Sequence, residues 1–353
     1  MTAYAAGRWR NALVGGAGAL AVLLAGCSGG APDSDAPSAG SSSGAGDDGE
    51  PTSAPTSPPA PTDDGADPSA SQEEPPPDDS DQTTEAPEAL ELPRGGTEIF
   101  PDYRLFGYSG LPGSPAMGRM GIGDLDERVE EMEERGEEYA GDRDLLPVLE
   151  LIATVVHASP GSDGMYRTYI PESVIQDHLD AARRHDGILL LNIQPGRSDF
   201  IDEVEHYEKW LVEPDVGVAL DPEWAVEEGQ VPGEVYGRTT GEELDEVAEY
   251  LADLVEEHGL PEKVMVYHQV HAGVVRDEGD LEAHDGVVEI KSVDGIGAPS
   301  DKISTYDRVM EGTPEQVVAG FKLFYEEDAV LGPIMTGEEV LGLEPQPEYI
   351  LFE

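Results

Sequence analysis

The chain has 353 residues, and its 75 acidic side chains against 20 Lys and Arg give a formal net charge of −55. The acidity is not confined to a tail: from Arg94 onward 59 acids face 18 bases, a net of −41 over 260 residues. Such a surface repels nucleic acid and anionic lipid headgroups, which excludes DNA and RNA as partners, and it suits a protein kept solvated in high salt.

Residues 1–26 read as an export signal. Arg8, Trp9 and Arg10 supply a basic start, and residues 11–26 are small and apolar around Leu20, Val22, Leu23 and Leu24. That run is short for a membrane span. Arg8 and Arg10 are not adjacent, so a twin-arginine signal is not supported. The tetrapeptide Leu24-Ala25-Gly26-Cys27 resembles the lipobox of bacterial lipoproteins. The resemblance implies cleavage before Cys27, acylation of its thiol with palmitate-type chains, and a lipid bilayer as partner on the outer face of the cell membrane. Cys27 is the only cysteine, so no intrachain disulfide is possible. Residues 27–93 hold 16 acids and no Lys or Arg among Pro, Ser, Gly, Ala and Thr. A segment of that composition cannot bury enough apolar surface to offset its ordering entropy. It is expected to be a disordered tether reaching roughly 40–50 Å or more.

From residue 94 the pattern changes to strands alternating with helices. A first strand is expected over 104–109, a helix over 124–139, a second strand within 146–156 and a helix over 171–184 with Pro171 in its first turn. Residues 187–224 form the clearest unit. A strand at 187–194 precedes a helix capped by Ser198, with Phe200, Ile201, Val204, Tyr207 and Leu211 at helical spacing, and a strand at 216–221 follows. A long amphipathic helix over 241–258 carries Leu244, Val247, Ala248, Leu251, Leu254 and Val255 on one side. Strands at 263–269 and 287–293 follow, then a short helix at 314–320, a strand at 321–325, a short helix at 338–343 and a last strand at 349–352. Eight strands separated mostly by helices in about 260 residues are the count and size of a (β/α)8 TIM-like barrel, with an open doubly wound sheet as the alternative. No glycine-rich phosphate loop follows any strand, which removes the nucleotide-binding version, and no cofactor is expected.

Alternate strand residues face opposite sides, so the polar ones can be sorted. In the fourth strand Gly217, Ala219, Asp221 and Glu223 share the face opposite Val216, Val218 and Leu220. Asn192 and Gln194 oppose Leu191 and Ile193, and Glu150 opposes Leu149 and Leu151. Tyr267 and Gln269 oppose Val266 and His268. Glu289 and Lys291 share a side, which suggests a Glu150–Lys291 ion pair as a structural alternative to catalysis. Lys322, Phe324 and Glu326 share another. Barrel enzymes keep their active sites at the C-terminal strand ends. An extended Asp221-x-Glu223 pair would stand about 6.6 Å apart. Asp221, Glu223, Gln194 and Glu326 are therefore expected on one cavity, with Glu150, His268 and Asp294 at its floor or rim and Tyr108, Trp224 and Tyr325 as sugar-stacking rings.

The segment ALDPEW at 219–224 resembles the acidic strand ends of barrel glycoside hydrolases. That resemblance implies Glu223 as general acid, with Asp221 or Glu326 as the second carboxylate and carbohydrate as substrate. The region from Phe106 onward resembles barrel domains of secreted bacterial lipoproteins, which implies fold and location rather than a reaction. Two other functions stay open: a non-catalytic binding or scaffold barrel, and a metal-dependent hydrolase using Glu150, Asp221, Glu223, His268 and Asp294.

Overall fold

The computed structural model describes residues 90–353. The segment expected to be an export signal, Cys27 and nearly all of the segment expected to be a tether lie outside the described residues. Eight parallel strands close into a barrel. They are β1 (Tyr103–Gly110), β2 (Asp144–Val156), β3 (Ile188–Ile193), β4 (Val216–Leu220), β5 (Lys263–Gln269), β6 (Val287–Val293), β7 (Val318–Leu323) and β8 (Tyr349–Phe352). Each pairs in parallel with its neighbours, and β1 closes the ring by pairing with both β2 and β8. The helices are α1 (Leu125–Gly136), α2 (Glu172–Arg184), α3 (Phe200–Glu205), α4 (Glu208–Leu211), α5 (Gly241–His258), α6 (Pro299–Met310), α7 (Glu327–Leu331) and α8 (Gly337–Leu341). This is an α/β TIM-like barrel, as the sequence pattern predicts.

Two apolar layers follow from strand alternation. Leu149, Leu151, Leu189, Leu191, Val216, Val218, Met265, Phe321 and Phe352 point outward into the helices. Leu105, Leu146, Val148, Leu190, Ala219, Val264, Val266, Ile290 and Leu351 point inward. Each such side chain contributes about 1.5–3 kcal/mol when fully buried. Small residues make room in the interior: a Cβ at Gly217 would collide with the Val264 carbonyl oxygen. Leu92, Ile99 and Tyr103 join the inner cluster and close the barrel at its N-terminal end. The lower barrel is thus filled with hydrocarbon, and polar interior side chains gather toward the C-terminal ends.

Several expectations are corrected. The helix proposed at 314–320 is not one; α6 begins at Pro299, and the strand starts earlier, at Val318. Ala319, Phe321 and Leu323 alternate outward into the helix layer, so period two prevails over the short apolar run. The helix read from Ser198 divides into α3 and α4, and Asp199 holds its N-cap position. Glu289 and Lys291 lie on the outward parity of β6, beside Val287 and Val293. Lys291 does not meet Glu150. Its Nζ donates to Glu278 Oε2 at 2.8 Å, the Val309 carbonyl at 2.7 Å and Thr313 Oγ1 at 2.9 Å. Glu278 also accepts from the Tyr267 hydroxyl at 2.7 Å, so a polar clamp covers β5 and β6, whose connection holds a two-residue strand, Val275–Arg276, and a 3-10 turn, Glu278–Asp280, but no α-helix.

Candidate active site

The fourth strand ends at Leu220, and the backbone N–H of the next residue, Asp221, still donates to Ile193 O at 3.0 Å. Pro222 then starts a 3-10 turn, Pro222–Trp224, closed by N–H donations from Trp224 to Asp221 O and from Ala225 to Pro222 O, both 3.0 Å. Proline suits this first position because its ring presets φ and its absent donor is not needed there. The turn replaces the extended spacing expected between Asp221 and Glu223, so the 6.6 Å strand estimate does not apply.

Inside the rim a charged network surrounds His268. Its Nδ1 lies 2.8 Å from Asp294 Oδ2. Its Nε2 lies 3.1 Å from Glu150 Oε1, an ion-pair distance without good hydrogen-bond direction. Glu150 also accepts from Asn192 Nδ2 at 3.1 Å and from the Tyr349 hydroxyl at 2.8 Å. Asp294 accepts from Ser292 Oγ at 2.9 Å. Lys322 Nζ lies 3.4 Å from Asp294 and 2.6 Å from Glu353. Two cations therefore serve three carboxylates, Glu150, Asp294 and Glu353. Asp221 and Glu223 are left over: among the described residues neither side chain forms an ion pair or a hydrogen bond, and Glu223 Oε2 is sealed from solvent without a partner.

The protonation states follow from this arithmetic. Burial opposes every charge here, and only the paired groups overcome it. Burial pushes Asp294 up, but His268 and Lys322 outweigh it and hold the carboxyl at about 2. Burial also acts against ionised Glu150, and His268 and Lys322 nonetheless hold it below the usual range. Burial disfavours the His268 and Lys322 cations, yet the surrounding carboxylates raise both well above their ordinary values. Asp221, with burial dominant and no direct cation, is pushed up to about 6. Glu223 is raised well above the usual range by burial and then by the charges of Asp221 and Asp294.

The other expected site residues fall in different places. Gln194 is buried near the rim, and its Oε1 accepts from the Val156 N–H at 3.2 Å. Trp224 is half-buried at the end of its turn. Tyr108 is fully buried in the outer layer, where its hydroxyl meets Tyr325 at 2.7 Å and the two rings pack edge to face at 5.8 Å. Tyr325 packs further against Phe352, with centroids 4.8 Å apart, and under the Arg119 guanidinium at 5.2 Å, so both rings belong to the outer layer rather than to a sugar-stacking mouth. Glu326 stands apart from the network. The Phe324 N–H turns to Asp328 Oδ2 at 3.0 Å, the strand gives way to α7, and Glu326 is left exposed at that helix's N-cap. His271 and Tyr236, on the rim loops after β5 and β4, are brought together, with ring centroids 5.2 Å apart. Strand parity singles out neither, because neither belongs to a strand.

Asp221, His268 and Asp294 each offer a ligand atom, all within 4.8 Å of one another. Both His268 nitrogens already face carboxylates, so an ion bound here would have to displace a ring proton. The network is nearly closed to solvent: Asp221 is 7% exposed, Lys322 and Asp294 6%, and His268 fully buried, whereas Glu223 is half-buried. The cavity expected around Asp221, Glu223, Gln194 and Glu326 is not formed as such: among the described residues the two best-formed cavities lie elsewhere, one of about 10 Å³ beside Leu92, Ile99 and Lys263 and one beside Phe106 and Met132. No protein-family model matches the chain, and no curated protein matches it. The fold and these strand-end groups define a TIM-like barrel with an acid-rich C-terminal rim.

Proposed function

We propose that the barrel is a glycoside hydrolase, exported and held at the outer face of the cell membrane, acting on cell-wall or environmental polysaccharide. The observation that carries this reading is the unpaired acid couple, Asp221 and Glu223, in a network that pairs its other carboxylates. Glycoside hydrolysis needs one carboxyl that keeps its proton and one that stays ionised. Glu223, raised, is the general acid that protonates the leaving oxygen. Asp221, pushed up only to about 6 and bound to no cation, is the partner that ionises near neutral pH and stabilises positive charge at the anomeric carbon. Asp294, already paired with His268 and Lys322, holds the network in place. Glu326, exposed ahead of α7, has no part in this role.

Membrane attachment in this reading is through acylated Cys27, supported by the lipobox-like sequence alone. Among the described residues no helix is long and apolar enough to cross a membrane.

Two competing readings each have one observation behind them. The mutual satisfaction and deep burial of Glu150, His268, Asp294 and Lys322 favour a non-catalytic binding barrel. The close approach of Asp221, His268 and Asp294 favours a metal-dependent hydrolase, which elemental analysis of the purified protein tests directly.

The experiment that separates them is reducing-end release from a panel of neutral polysaccharides. Wild-type protein releases sugar without added metal and in the presence of a chelator, and Glu223→Gln protein does not. Equal release by both proteins, or none by wild type, contradicts the reading.

A further inference from the structure

The rim carries an aromatic pair that the acid network does not use. Tyr236 is 44% exposed, on a loop packed against the turn that carries half-buried Glu223. Its ring meets His271 at 79° with centroids 5.2 Å apart, so the imidazole covers at most one of its faces. Backbone contacts fix the loop. The Gly237 N–H donates to the Glu223 carbonyl at 2.6 Å, and the Arg238 N–H to Ala225 O at 2.9 Å. A Cβ at Gly237 would collide with the Ala225 backbone, so the chain runs flush against the turn that carries Glu223. Just beyond, Thr239–Thr240 pairs in parallel with Val275–Arg276, which ties the loop of Tyr236 to the loop of His271. The phenol is also electrically close to the acid: its ionisation is opposed first by burial and then by the Glu223 charge.

We propose that Tyr236 and His271 form a glycan-binding subsite directly outside Glu223, shaped for an uncharged pyranose. A tyrosine face offers a flat apolar surface, and its hydroxyl offers one polar contact at the edge. The C–H face of a pyranose matches the first, and its ring hydroxyls match the second and His271 Nε2, the ring's Nδ1 already accepting from the Gly273 N–H at 3.0 Å. A carboxylated or sulfated sugar is disfavoured, because the domain carries a net charge of −41 and the charge of Glu223 acts on Tyr236. A preformed wall loses little freedom on binding, which is where a rigid aromatic is most useful. The inference rests on the hydrolase reading only for the position of the scissile bond.

The test uses Glu223→Gln protein, alone and combined with Tyr236→Ala or Tyr236→Phe. The probes are soluble β-1,4-linked pentaoses of glucose, xylose, mannose and N-acetylglucosamine, with pentagalacturonate as the anionic comparator. Titration calorimetry and saturation-transfer NMR read the binding. At least one neutral pentaose should bind. Tyr236→Ala should weaken it about tenfold or more, a change of roughly 1.4 kcal/mol, while Tyr236→Phe stays within about threefold. Unchanged binding by Tyr236→Ala, tighter binding of pentagalacturonate, or no binding of any neutral pentaose overturns the subsite. Hydrolysis by the otherwise wild-type protein separates the two ideas. Turnover with Tyr236-independent binding removes the subsite and keeps the hydrolase. Tyr236-dependent binding without turnover removes the hydrolase and keeps the subsite.

Discussion

His268 lies between Asp294, 2.8 Å from its Nδ1, and Glu150, 3.1 Å from its Nε2. Both nitrogens face carboxylate oxygens, an arrangement that favours the imidazolium form, and the ring sits fully buried in the polar layer. Its folded-state pKa is raised above the ordinary 6.5. The stability it contributes is therefore complete below that value and is lost as pH rises through the folded pKa. Asp294 works in the opposite sense: its contribution is complete above the ordinary 3.8 and is lost as pH falls toward about 2. Nitrogen-15 NMR at pH 7.5 should show both His268 ring nitrogens protonated, and a neutral tautomer at that pH contradicts the network. His268→Gln leaves two buried carboxylates without their cation, so chemical denaturation should show a loss of roughly 3–5 kcal/mol.

Asp221 behaves in the reverse way, as a functional group held against stability. Its carboxyl is raised from 3.8 to about 6, so the folded state loses stability as pH climbs across that interval. Asp221→Asn should therefore raise the melting temperature at pH 7–8. The gain should be on the order of 1–3 kcal/mol and should vanish below about pH 4, where the aspartate is protonated in both states. Loss of stability at pH 7–8 would mean that the carboxylate has a structural partner, and the case for an unpaired acid couple would fall.

The layout of the acids was legible where strand alternation is clean. Val216, Val218 and Leu220 point into the helix layer, which turns Asp221 inward, and the same reasoning orients Glu150 and Asn192. It was not legible where the strand runs out. Glu326 has the same parity as Lys322 in the sequence, but Asp328 takes the Phe324 N–H and the chain turns into α7, so parity carries no further. Glu289 and Lys291 share a side of β6, but parity alone does not say whether that side is the inner or the outer one; it is the outer, and the loop after β5 gives Lys291 a partner there in Glu278. Helix α6 was hidden by its composition. Only Ile303, Tyr306, Val309 and Met310 mark an apolar side in PSDKISTYDRVM, and of these Ile303 is exposed. The contact of Tyr236 with His271 joins two loops, and no periodicity in the sequence announces such a meeting.

The acidic shell should respond to salt. At a net charge of −41 over residues 94–353, self-repulsion weakens as the Debye length falls from about 10 Å at 0.1 M to about 3 Å at 1 M. Differential scanning calorimetry should show a melting temperature that rises steadily with NaCl over that range. A flat response would mean that the surface acids are not a net burden on the fold.

Anchoring is tested separately from catalysis. Metabolic labelling with an alkyne fatty acid should mark the full-length protein in a lipoprotein-processing bacterium. Cys27→Ser protein should be unlabelled and either unprocessed or released. Label persisting on the Cys27→Ser protein would place the acyl chain elsewhere and remove the lipobox reading.

The central claim is that Glu223 donates a proton to a departing glycosidic oxygen. That role has a kinetic signature which a structural carboxyl lacks. On an unactivated pentaose, Glu223→Gln should lower kcat/KM by on the order of a hundredfold or more, in the range that a positioned general acid supplies. On the matching 2,4-dinitrophenyl glycoside, whose leaving group needs no proton, the same variant should retain kcat/KM within about tenfold. The account predicts this split between the two leaving groups. Equal losses on both substrates, or no loss on either, would contradict it.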